Sequence, residues 1–233
     1  MQSHLILLIH GIRTRRTSPS WPKHFTGWVA GLPQVRTEAI YYEAGPLPIW
    51  NNLFANPRLA RELVSRIETQ RLYQHGQKIH LVAHSNGGVI ALATMKRLAH
   101  LGIPVATCIL TGAAVESDVE KSGLSALVSA GMLGRAIAYS SPDDGVIRPA
   151  LEWVPGFYGS LGSKGFHRDG RPTGLRIEGY QPIGDGPDWG ATKFRYITRW
   201  FPGYGHGQYF DDTERRHTFE CLLEDCGIPD PRI

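Results

Sequence analysis

Short apolar runs alternate with helical patterns along most of this chain, and that alternation sets the fold class. Runs rich in aliphatic and aromatic residues fall at 5–9, 36–42, 78–84, 105–111, 135–140 and 193–200. Between them the apolar residues return every three or four positions, the period of a helix buried on one side. Trp21, Phe25 and Val29 repeat every four residues before Gly31 and Pro33. Asn56-Pro57 reads as an N-cap with proline in the first turn, ahead of a stripe of Leu59, Leu63 and Ile67. Val89, Leu92, Ala93 and Lys96 recur at helical spacing, and Gly102 with Pro104 beyond it stops a helix over 86–101. Ser117 and Glu120 match a capping box ahead of Leu124, Leu127 and Val128. A last helix opens near Asp212, buries Phe219, Leu222 and Leu223, and ends at Gly227. Strands alternating with helices predict an α/β protein: a mostly parallel, twisted sheet of about six strands with helices on both faces. Such a sheet binds ligands beyond the carboxyl ends of its strands, so reactive residues belong just after the runs.

With 233 residues, 42% of them hydrophobic, the chain is long enough to bury a sizeable core, and a single domain over 1–233 is expected. Residues 149–192 break the rhythm with "GFYGSLGSKGFHRDGRPTG" and "GYQPIGDGPDWG". So much glycine forbids a long helix. The segment reads as an irregular, cap-like excursion with a hairpin around Leu175–Tyr180. Its Trp153, Phe157, Tyr158, Phe166 and Trp189 favour burial, under a cap over the site or in a flap packed elsewhere. The apolar start "LILLI" is too short to cross a bilayer and lacks the flanks of a signal peptide. Three cysteines, Cys108, Cys221 and Cys226, form no metal spacing or disulfide framework, which points to the cytoplasm. The net charge of +4 excludes nothing by itself; its densest cluster, Arg13, Arg15 and Arg16, reads as a solvated loop or an anion contact. Without aromatic-basic interleaving or zinc-finger spacing, no nucleic-acid partner is expected.

The residue that stands out chemically is Ser85, in "HLVAHSNGGVIALATMKRLAH", where strand period gives way to helix period. A strand turning sharply into a helix strains the backbone at the bend, and side chains two before and two after would collide. Ala83 and Gly87 are small there. The bend lifts the hydroxyl above the sheet edge beside a helix N-terminus, whose free N–H groups favour developing negative charge. The same serine would also serve as a plain helix cap.

"AHSNG" resembles the G-x-S-x-G nucleophile elbow of the α/β-hydrolase fold, with Ala83 in place of the first glycine. The resemblance runs from His10 to the final helix, with the family's leading antiparallel strands missing. It implies a serine esterase or lipase-like enzyme whose triad follows the order serine, acid, histidine. The run "RAIAYSS" is followed by "PDDGVI"; Asp144, with Gly145 and two apolar residues behind it, fits the acid, and Asp143 is the alternative. Pro-Asp-Asp-Gly also makes an ordinary turn. Of ten histidines, only His206 and His217 follow the final strand, and His217 falls in a helix pattern. His206, between Gly205 and Gly207, resembles the family's general base. "LLIHGIRT" resembles the His-Gly-X oxyanion loop of lipases and esterases. By that match Ile12 and Asn86 supply main-chain N–H donors, Gly11 permits close approach, and His10 braces the loop. His84 beside the serine reads as structural.

The function implied is hydrolysis of a carboxylic ester through an acyl-serine intermediate, acting on a small-molecule acyl ester. Acyltransferase, thioesterase and peptidase chemistry use the same triad, and a non-catalytic binding module uses the same fold. A dehalogenase would place aspartate at position 85. No phosphate loop, HExxH or EF-hand pattern appears, so no cofactor or metal is expected. Arg13–Arg16, beside the oxyanion loop, would favour anionic substrates such as phospholipids.

Overall fold

The computed structural model describes residues 2–11, 20–42, 56–69, 73, 76–146, 159–181, 194–211 and 214–230. Five long strands come from five of the apolar runs: β1 (His4–Ile9), β2 (Val35–Ile40), β3 (Lys78–His84), β4 (Val105–Thr111) and β5 (Leu133–Ser140). The excursion contributes β6 (His167–Arg168), β7 (Arg171–Pro172) and β8 (Leu175–Glu178), and β9 (Tyr196–Trp200) is the sixth run. The helices are α1 (Trp21–Val29), α2 (Asn56–Thr69), α3 (Gly87–His100), α4 (Leu124–Ser129), the single turn α5 (Leu161–Lys164) and α6 (Arg215–Asp225).

Seven strands form one sheet in the order β2-β1-β3-β4-β5-β9-β8, and every pairing in it is parallel. The sheet is thus one strand larger than the six runs, and the addition is β8. Residues 175–178 do not form the expected hairpin: they pair in parallel with β9 at the sheet edge. An alternating LRIE reads the same for either partner, and only tertiary packing chooses between them. The excursion's hairpin lies a few residues earlier, where β6 and β7 pair antiparallel about Asp169 (φ +50°) and Gly170 (φ +75°). Two positive φ values make the tight turn whose twist matches the strands it joins.

Both faces are covered, which is why β1 is apolar and fully buried from Leu5 to Ile9. Leu5, Leu7 and Ile9 face one core with α2, α3 and α4; Ile6 and Leu8 face the other with α1 and α6. Each such aliphatic contributes about 1.5–3 kcal/mol relative to exposure. The buried stripe of α3 is Ile90, Ala91, Thr94, Met95 and Leu98 rather than the Val89–Lys96 positions, so the helix is rotated from the one its most evident apolar spacing suggests.

Two helix starts differ from expectation. The capping box at Ser117 and Glu120 is not used. Asp118 instead takes the N–H groups of Glu120 and Lys121 on one oxygen and that of Asp169 on the other, at 3.0–3.1 Å. These donors, Lys121's first, hold its carboxyl below the usual range, and α4 begins only after Gly123. Asn56 is the first residue of α2 itself, and its side-chain amide reaches a partner described below. The cysteines at 108, 221 and 226 are buried free thiols. Among the described residues no helix is long and apolar enough to cross a membrane.

Candidate active site

β3 runs straight into α3, and the two residues between them make the bend. Ser85 has φ +56°, a left-handed backbone that a side chain rarely adopts and that costs about 1–3 kcal/mol. The surroundings hold it there. Its N–H donates to the Thr111 carbonyl at 3.1 Å, and its carbonyl accepts from Gly88 and Ala114 at 3.0 and 3.2 Å. Gly87 lets α3 start this close to β1: a Cβ there would lie 2.6 Å from the Ile9 carbonyl oxygen and 2.7 Å from that of His10. Gly11, at the exit of β1, faces the serine directly. A Cβ on it would come within 2.9 Å of Ser85 Cβ and 3.4 Å of Oγ.

The acid and the histidine meet at the same rim. Asp144, four residues beyond β5 and 1% exposed, places Oδ2 at 2.8 Å from His206 Nδ1, while its Oδ1 accepts the Val146 N–H at 3.0 Å. Asp143 takes another course, accepting the Gly203 N–H at 2.6 Å. Gly112, at the exit of β4, backs the pair: a Cβ would lie 3.3 Å from both Asp144 Oδ2 and His206 Nδ1. Since Nδ1 faces a carboxylate, it carries the ring proton, and Nε2 is left to accept.

His84 connects the elbow to this pair. Its Nε2 donates to the His206 carbonyl at 2.9 Å, and the two imidazoles stand 4.8 Å apart. Burial, with the His206 ring adding to it, pushes His84 down to about 4, so it stays a neutral donor. Among the described residues no hydrogen bond joins the Ser85 hydroxyl to His206. In unliganded hydrolytic sites that contact is commonly long and shortens with substrate bound.

Of the two expected oxyanion donors, Asn86 follows the serine and is fully buried; among the described residues its main-chain N–H meets no acceptor. Ile12, like Arg13–Arg16, lies outside the described residues. His10 braces the loop before it. Its Nε2 accepts the Tyr42 N–H at 3.1 Å, its Nδ1 donates to the Gly11 carbonyl, and its ring stacks on Tyr42 at 4.5 Å. Burial lowers its pKa, so it is neutral as this pattern requires. Nothing in the sequence pattern marks Tyr42 or the Asn56 side chain as neighbours of the elbow, yet both bond to Asn86. Of the cap-like excursion, residues 159–162 run against the β4 exit, with the Gly159, Leu161 and Gly162 N–H groups donating to Ala114, Val115 and Ala113. The other aromatic segments of the excursion, with Trp153, Phe157, Tyr158 and Trp189, lie outside the described residues.

No protein-family model matches the sequence, and no curated protein does. Solved structures do match. An uncharacterized protein from Bacillus cereus ATCC 10987 is 12% identical with a TM-score of 0.54; the match covers 96% of this chain but 59% of that one. An arylesterase is 13% identical at TM-score 0.53, over 97% of this chain and 77% of its own. The NocB thioesterase domain of the nocardicin cluster is 17% identical at TM-score 0.50, over 97% and 95%. The seven-stranded parallel sheet, the helices on both its faces and these matches lead to one conclusion: the chain has the α/β-hydrolase fold.

Proposed function

We propose that this protein is a serine hydrolase of carboxylic esters, with Ser85 as nucleophile, His206 as general base and Asp144 as the acid that orients it. The observation that carries the reading is the Asp144–His206 contact at 2.8 Å, at the strand rim where Ser85 is held at positive φ. His206 Nε2 takes the Ser85 proton as Oγ attacks the acyl carbon. The oxyanion is met by the N–H groups of Asn86 and Ile12. The imidazolium then protonates the departing alcohol, and an acyl-serine remains. Water, deprotonated by His206, releases the acid and restores Ser85. The whole operates within a single domain over 1–233.

A thioester is the second reading, favoured by the NocB match across 95% of that thioesterase domain. Oxygen and sulfur leaving groups are separated by one experiment. A panel of chromogenic esters and matched acyl thioesters, graded in acyl length, is assayed with the native protein and with Ser85→Ala. The substitution is expected to lower turnover by about 10⁴-fold or more. Turnover that survives it would remove Ser85 from the chemistry.

A further inference from the structure

Asn86 supplies a main-chain donor in the proposed reaction, yet its side chain points away from the serine into a closed polar network. Its amide pairs with that of Asn56 at the start of α2 in both directions. Asn86 Nδ2 donates to Asn56 Oδ1 at 3.0 Å, and Asn56 Nδ2 donates to Asn86 Oδ1 at 3.1 Å. The second Nδ2 hydrogen of Asn86 goes to the Tyr42 hydroxyl at 3.2 Å. Tyr42 passes its own proton to the His10 carbonyl at 2.9 Å.

The directions are fixed by chemistry. A carbonyl oxygen only accepts, so the Tyr42 hydroxyl must donate to His10, and its oxygen is left to receive Nδ2. Asn56 and Asn86 are 1% and 0% exposed, and Tyr42 and His10 are buried with them. A buried network with every member satisfied is stiff, because breaking any link strands a polar atom away from water. This one joins the residue after the nucleophile to the loop leaving β1, whose Gly11 faces the serine.

We infer that Asn56 is a positioning residue: through the Asn86 side chain and Tyr42 it ties the residue that carries the Asn86 main-chain donor to His10 at the exit of β1, and so fixes that donor before substrate arrives. It touches no substrate itself. The inference rests on the proposed hydrolase reading, since the Asn86 main-chain N–H is a donor of that reaction.

The test compares kcat and KM of the native protein with Asn56→Ala and Asn56→Asp. Active-site labelling by a fluorophosphonate counts the competent molecules, and Tm is followed in parallel. Asn56→Ala is expected to lower kcat per labelled site by about tenfold, short of deleting a donor outright, with KM within about threefold. Asn56→Asp keeps the shape but has a proton for Asn86 Oδ1 only while its carboxyl is protonated. Its kcat per labelled site, relative to the native protein, should therefore fall as pH rises; ionising a buried aspartate also lowers stability, and counting labelled sites at each pH separates the two. Unchanged kcat in both variants, or a loss accounted for by fewer labelled sites, would overturn the inference while leaving the hydrolase reading intact. A native protein with no Ser85-dependent turnover would overturn both.

Discussion

Two aspartates stand side by side after β5, and only one reaches the histidine. Asp144 is enclosed, with one oxygen on His206 Nδ1 and the other on a main-chain N–H. Asp143 caps the turn at Gly203. Asp144→Asn should therefore leave the fold but lower kcat/KM by about 10⁴-fold, since an amide cannot stabilise the imidazolium or hold its tautomer. Asp143→Asn should stay within about tenfold of native, and equal losses in a steady-state assay would contradict the separation of roles. The bend at Ser85 is legible in the sequence because strand period, small flanking residues and helix period meet at one point. The choice between the aspartates is less so. The apolar pair behind Asp144 singles it out, yet Val146 is 53% exposed. What separates the two aspartates is where their oxygens bond, Asp144 on His206 and Asp143 on the Gly203 N–H, partners about sixty residues further along the chain.

At the scale of elements, the best-anchored joint is where the excursion returns to the sheet. Arg199 on β9 is fully buried, with Nε and Nη2 on the two Asp225 oxygens at 2.8 and 2.7 Å. Its Nη1 takes the Gly179 and Gln181 carbonyls just beyond β8, and Tyr139 donates to Asp225 at 2.6 Å. Burial works most strongly against the guanidinium charge, but the charge and hydrogen bonds of Asp225 together with Tyr139 and Cys221 outweigh it, so Arg199 stays protonated. Arg199→Met would strand the Asp225 carboxylate, and a loss of about 3–5 kcal/mol is expected in urea unfolding. A loss below about 1 kcal/mol would mean that the clamp is not what fixes β8. None of this is readable from "KFRYITRWF", where an arginine on an alternating strand looks like a solvent-facing residue. The Asp169-Gly170 turn, by contrast, is a hairpin signal that the sequence carries openly. Long strands and amphipathic helices are legible from period alone; edge pairing and polar anchors depend on partners distant in sequence.

For the molecule as a whole, the sheet has a chemical rim and a structural one. At the amino ends of the strands His4 Nδ1 meets His80 Nε2 at 3.0 Å, with the rings stacked. Burial, with Lys78 nearby, pushes His4 down to about 4; burial and the neighbouring His4, Lys78 and Arg135 also depress His80 well below its ordinary value. Both are neutral in the fold, whereas in the unfolded chain they take up protons near pH 6.5. Their stabilisation is complete above that pH and drains away as pH falls toward about 4, at about 1.4 kcal/mol per pH unit for each proton taken up. His80→Leu should flatten that dependence in urea titrations between these limits, and an unchanged slope would clear the pair of responsibility. The strand order carries a different consequence. β9 is threaded between β5 and β8, which both precede it in the chain, and His206 follows six residues after its end. Without the chain from Tyr196 onward, β5 and β8 lose the strand that joins them and Asp144 loses its imidazole partner. Joining β5 to β8 and bringing an imidazole to Asp144 therefore depend on one stretch of chain, 196–206.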